Sequence, residues 1–147
     1  MKAFRFPLAT VLRLRESIEQ REERALQKIQ LEMARVSHQI EQVTTHIAEA
    51  QAAREQALRQ QIPAVELQTM LWGAQAAIAK KDALLETLHA LEQQRIQQLN
   101  VYQAAHRDHE TLLNMAAEQR SAYELHQARV EQKFLDDVFM ARRHQSE

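Results

Sequence analysis

A single glycine and two prolines in 147 residues leave this chain almost nothing to turn with. Tight turns draw on residues that tolerate positive φ, preset a turn-like φ, or hydrogen-bond their own backbone. A globular fold of this length needs several such turns, and the residues that make them are missing. What remains is dominated by Ala, Gln, Glu, Leu and Arg, the strong helix formers, with 27% of positions charged. Apolar residues spaced through such a composition mark a coiled coil or long helix.

The spacing supports the coiled coil. From Pro7, placed as the first residue of a helix, apolar residues recur at alternating steps of four and three. The seam reads Leu8, Leu12, Leu26, Ile29, Met33, Val36, Ile40, Val43, Ile47, Ala50 and Ala57. It keeps a/d spacing without a break from Ile29 to Ala50. Arg15, Glu19 and Glu22 interrupt it nearer the start, with Ile18 and Ala25 one position off, which predicts looser packing or a register shift. Pro63 then ends the helix, because an interior proline removes a hydrogen bond and clashes with the preceding turn. It also turns Ile62 away from helical geometry and suits the first turn of a new helix.

The second helix has a rougher seam: Leu67, Leu71, Ala74, Ile78, Leu85, Leu88, Leu99, Tyr102, Leu113, Ala116, Tyr123, Val130 and Phe134. Lys81, Glu92, Arg95, His106, His109, Arg120 and Gln127 stand at seam positions between them. The reading is all-α, one long two-helix antiparallel coiled-coil hairpin over residues 1–147. Helix one covers about 7–60, the turn about 61–63 and helix two about 64–142. Residue i should pair with about residue 124 − i, and arms of about 80 Å and about 115 Å leave the last 20 or so residues of helix two beyond the start of helix one. Two kinked chains in a parallel dimer would show the same periodicity. The hairpin is expected to be monomeric when alone.

Several function classes fall away. The formal net charge of −1 argues against non-specific nucleic-acid binding, which needs a strongly basic face. Without cysteine there are no disulfides or thiolate metal sites, and a reducing compartment is expected. No apolar run reaches a membrane span, so no direct membrane insertion is expected. The positively flanked start has no apolar stretch behind it and does not read as a signal peptide, so the chain is expected in the cytosol. There is no Gly-rich phosphate loop and no nucleophile elbow, and His106-Arg107-Asp108 matches a kinase triplet with nothing else of a kinase present. A two-helix hairpin offers no water-excluding pocket. No enzyme, cofactor or metal is expected. His106, His109 and Glu110 could share a helical face, but no further ligand is evident and no nearby acid orients the rings. A partly solvated seam accounts for them.

Two features weigh more evenly. Trp72, one position off the seam beside Gly73, is either packed on the flank of helix one or an anchor for a partner, as Trp often is in interfaces. Lys2, Arg5, Arg13, Arg15, Lys133, Arg142 and Arg143 gather at the two chain ends. They read as solvated helix surface, with Arg142 and Arg143 favoured by the helix C-terminus, or as a dock for an acidic partner.

The termini also carry a resemblance. Phe4-Arg5-Phe6-Pro7-Leu8, followed by Val11-Leu12-Arg13-Leu14-Arg15-Glu16, is similar to the start of flagellar export proteins of the FliJ family, which often open with Phe-x-Phe-x-Leu, a Leu-rich turn and Arg-Glu. The closing Arg129-Val130-Glu131-Gln132-Lys133-Phe134-Leu135-Asp136-Asp137, with Arg142, resembles the family's ending, although Asp137 stands where Glu is commoner. Length, the mid-chain break and the longer second helix also match.

The resemblance implies a component of the flagellar type III export apparatus, peripherally associated with the inner membrane. Family members are antiparallel coiled coils similar to the central stalk of rotary ATPases. They bind the hexameric export ATPase, contact the export gate membrane protein and handle export chaperones. Carried over, Phe4, Phe6, Leu8, Arg15, Glu131, Gln132, Lys133, Asp136, Asp137 and Arg142 would form the ATPase-binding tip. The gate contact maps nearer the turn, where Met70, Leu71, Trp72, Ala74 and Ile78 are assigned to it. Gly73 departs from the family pattern. A general holdase chaperone and the equivalent stalk of a virulence secretion system are the alternatives.

Overall fold

The computed structural model describes residues 3–144, which fold as two α-helices with no strand among them. Helix α1 spans Ala9–Arg59 (51 residues) and α2 spans Ala64–His144 (81 residues). They pack antiparallel as a helical hairpin. Packing divides the chain into a turn unit, Glu22–Tyr102, and a terminal unit, Met1–Arg21 with Gln103–Glu147.

In the turn unit the α1 seam runs as the apolar spacing requires, from Leu26 to Ala57, with every seam residue buried or half-buried. Leu26, Val36, Val43 and Ala57 are its most enclosed members, and Val36 is 2% exposed. The facing stripe of α2 keeps only half of its predicted positions. Leu67, Ala74, Lys81, Leu88, Arg95 and Tyr102 lie in the seam, but the alternate positions are Met70, Ala77, Leu84, Leu91 and Gln98. Leu71, Ile78 and Leu85, expected inside, are 43 to 46% exposed. The same offset holds in the terminal unit, where Ala105 and Leu112 are covered while His106 and Leu113 are exposed.

The cause lies in apolar doublets. Met70-Leu71, Ala77-Ile78 and Leu84-Leu85 each offer two residues that satisfy heptad spacing, so periodicity does not choose between them. Packing does. The α1 seam is lined by bulky Met33, Val36, Ile40, Val43 and Ile47, and a close-packed interface takes a small residue such as Ala77 opposite them more readily than Ile78.

The turn is short. The Gln60 N–H bonds the Ala57 carbonyl at 3.1 Å, which tightens the last turn of α1. Gln61 then takes φ 55°, the left-handed conformation that usually falls to glycine after a helix. Pro63 directly precedes α2, and its carbonyl accepts the N–H groups of Glu66 (3.0 Å) and Leu67 (3.3 Å). Its own missing N–H would have had no helical partner there. Glu66 sits in the first turn of α2, with Arg142, Arg143 and His144 in the last, each complementing the helix dipole. At the other end Pro7 lies outside α1, in a turn closed by the Ala9 N–H on the Phe6 carbonyl (3.1 Å). Proline suits this second turn position.

Two substitutions should stabilise the hairpin. A Cβ on Gly73 would meet nothing within 4 Å, so Gly73→Ala should raise unfolding free energy by about 1 kcal/mol through helix propensity. Gln61→Gly should add about 0.5–1 kcal/mol by relieving the left-handed backbone. Thermal and urea unfolding followed by circular dichroism would check both. A fall in stability for either would contradict the open space at Gly73 or the left-handed turn at Gln61.

Candidate partner-binding surface

The polar interruptions of the α1 seam leave its register intact. Arg15, Glu19 and Glu22 occupy ordinary seam positions, and each meets a polar partner on α2. In the turn unit, Gln98 Nε2 donates to the Glu22 carboxylate (2.7 Å) and to the Glu22 carbonyl (3.1 Å). In the terminal unit, Arg15 reaches Asp108 at 3.3 Å. Glu19 receives two imidazoles, His106 through Nδ1 at 2.8 Å and His109 through its own Nδ1. The expected pairing puts residue 105 opposite Glu19 and residue 109 opposite Arg15, within one position of His106 and Asp108.

This cluster corrects the view that no acid orients the two histidines. The acid comes from the other helix, 87 residues away in sequence for His106. Both Nδ1 atoms are occupied by one carboxylate, and Glu110 lies 3.8 Å from His106 Nε2. Among the described residues no group of His, Asp and Glu is arranged to hold a metal ion. The hydrogen bond from His106 holds the Glu19 carboxyl below its ordinary value, with burial opposing and His109 acting in the same direction. The same bond raises His106 above the ordinary imidazole value.

The residues assigned to the tip divide between two places. Phe4 stacks on Tyr123 with ring centroids 5.5 Å apart, tilted by 42°. Phe6 is half-buried, and the Leu8 carbonyl accepts the Leu12 N–H at the start of α1 (2.8 Å). Ala3 and Phe4 border an open groove of about 490 Å³ that reaches Gln127 and Glu131. Glu131, Gln132, Lys133, Asp136, Asp137 and Arg142 are all exposed on the last turns of α2. Arg15, by contrast, is engaged with Asp108, about 35 Å along α2 from Glu131. Of the basic residues at the chain ends, Lys2 lies outside the described residues.

Sequence reasoning missed the apolar part of this surface. Heptad spacing puts Phe134 in the seam, yet it is 66% exposed, and Leu135 and Phe139 beside it are 64% and 68% exposed. The signal was available, because the expected arm lengths already put these residues beyond the start of α1.

The five residues assigned to a gate contact also fall on two faces. Met70 and Ala74 are half-buried in the seam, whereas Leu71, Ile78 and Trp72 are exposed. At 61% exposed, Trp72 is not held in flank packing against α1.

The terminal cluster should make stability depend on pH. Glu19, with its lowered value, stabilises the fold above the ordinary carboxylate range, and this is lost as pH falls through the lowered value. His106, with its raised value, stabilises below the ordinary imidazole range, and this is lost as pH rises through the raised value. The contribution is therefore whole at about pH 5–6. Glu19→Gln, with Arg15, Asp108 and Glu110 intact, should remove the loss that the native chain shows between that window and alkaline pH. Melting temperatures across pH for the two proteins would test it, and parallel curves would count against the cluster.

Comparison with known proteins sets these observations in a family. The family model described as flagellar FliJ protein matches residues 4–147. No curated protein and no solved structure matches the chain. With the match covering nearly the whole sequence and the fold a two-helix hairpin, the chain belongs to the FliJ family of flagellar export components.

Proposed function

We propose that this chain is a non-enzymatic coiled-coil stalk of the flagellar type III export apparatus. In this reading it binds the hexameric export ATPase through the end of α2, contacts the export gate near the turn, and helps deliver export substrates and their chaperones. The observation that carries the reading is the cluster of exposed Phe134, Leu135 and Phe139 among charged residues at one end of α2, in a chain that matches the family over residues 4–147. Interfaces gain most of their energy from a few buried aromatic and apolar anchors within a polar rim. Lys133, Asp136, Asp137 and Arg142 supply that rim. A shaft that favours one subunit conformation over another shifts the ring's populations without doing chemistry itself.

No helix among the described residues is long and apolar enough to cross a membrane. A contact with the gate would then be peripheral, made from the cytoplasmic side. Leu71, Trp72 and Ile78, exposed together on α2, are the residues this reading gives to it. The same exposed side chains would suit a holdase that captures unfolded clients, and activity assays separate the two readings.

Purified chain added to the export ATPase below equimolar ratio should raise its turnover. Combined Lys133→Ala, Asp136→Ala and Asp137→Ala should cut that stimulation by about tenfold, in line with losses at charged interface positions, while leaving helicity unchanged. Undiminished stimulation would refute the assignment of these residues. Suppression of client aggregation with no effect on the ATPase would favour the holdase.

A further inference from the structure

The end of α2 carries a second heptad seam that α1 does not cover. Glu131, Leu135, Val138 and Arg142 follow one another at steps of four, three and four, so they share one helix face. Phe134 and Phe139 flank that face on either side. Leu135, Phe134 and Phe139 are exposed, and Val138 is half-buried. Neither Glu131 nor Arg142 makes an ion pair among the described residues.

The order along this face is acid, apolar, apolar, base. Running the same four residues backwards exchanges Glu131 with Arg142 and Leu135 with Val138. A face of this kind is complementary to itself about a two-fold axis, as an isologous dimer contact requires. A parallel partner would set Glu131 against Glu131 and Arg142 against Arg142. A partner of unrelated sequence would have no use for the symmetry.

We infer that two copies of the chain associate through this face, antiparallel, with Glu131 of each copy opposite Arg142 of the other. Leu135 then packs on Val138 of the second copy, with the two Phe134 side chains along one edge of the contact and the two Phe139 side chains along the other. At 100° per residue, Asp136, Asp137 and Lys133 fall on the opposite side of the helix, so the acidic pair is kept away from its own copy. The face is only about three turns long. The contact is therefore smaller than a permanent dimer interface, and the expected monomer is the form in dilute solution. This association needs only a second copy and does not depend on the ATPase reading. It would nevertheless cover Leu135 and Phe139, which that reading gives to the ATPase.

Sedimentation of the full chain over a concentration series should show mass rising from monomer towards dimer in the micromolar range or above. Glu131→Arg or Arg142→Glu alone should weaken dimerisation by at least about tenfold. The double exchange, Glu131→Arg with Arg142→Glu, should return it close to the native level. The chain has no cysteine, so single Leu135→Cys and Val138→Cys proteins can be mixed and oxidised. The mixed disulfide should exceed either symmetric one. A chain that stays monomeric throughout, a dimer indifferent to the single reversals, a double exchange that fails to restore it, or symmetric disulfides in excess would each overturn the proposal.

Discussion

Two facing helices can bury only one stripe each, and everything else in this structure follows from that limit. In each unit the core is a thin stripe of side chains, and among the described residues Val36 is the most enclosed. In so thin a core each layer covers only one member of an apolar doublet. Hence large side chains of α1 stand against Ala77 in the turn unit, and Leu71, Ile78 and Leu85 are left outside. The exposed apolar flank of α2 is a by-product of how its covered stripe was filled.

A line of apolar contacts fixes faces but only weakly fixes register. The polar layers supply what is missing. A half-buried carboxylate left without its partner loses a charge-assisted hydrogen bond, so Glu22 on Gln98 and Glu19 on two histidines each penalise a one-heptad slide. Arg15 with Asp108, half-exposed, adds less. Buried polar pairs have this role in other coiled coils, where they sacrifice some stability for a single alignment. What looks in the sequence like a flaw at the start of α1 is the part that sets alignment in the terminal unit.

The helices, the break at Pro63 and the α1 seam were legible in the sequence because each rests on a local signal: composition, a proline, and unambiguous spacing. The α2 seam was half legible. Where one apolar residue stood alone, as at Leu67 and Leu88, spacing placed it; where two stood side by side, only the opposite helix could choose. The histidine cluster was illegible for a similar reason, since Glu19 becomes a neighbour of His106 only once the chain has folded back. Spacing alone misplaces Phe134, although hairpin geometry already argues against a partner for it. Resemblance singled out the charged residues near the end of α2, whose exposure the structure shows, but it gave no weight to the exposed Phe139 beside them.

The last turns of α2 have no opposing helix, and that sets a gradient of local order within the terminal unit. Helical segments of this length are marginal when nothing packs against them, and opening them exposes little apolar surface that was not already wet. Backbone amides from about Lys133 onward should thus exchange with solvent far sooner than those near Ala105, which the seam protects. Any partner that seats on these turns must first order them. Part of its contact energy goes into forming helix rather than into affinity, which favours binding that is specific yet readily reversed.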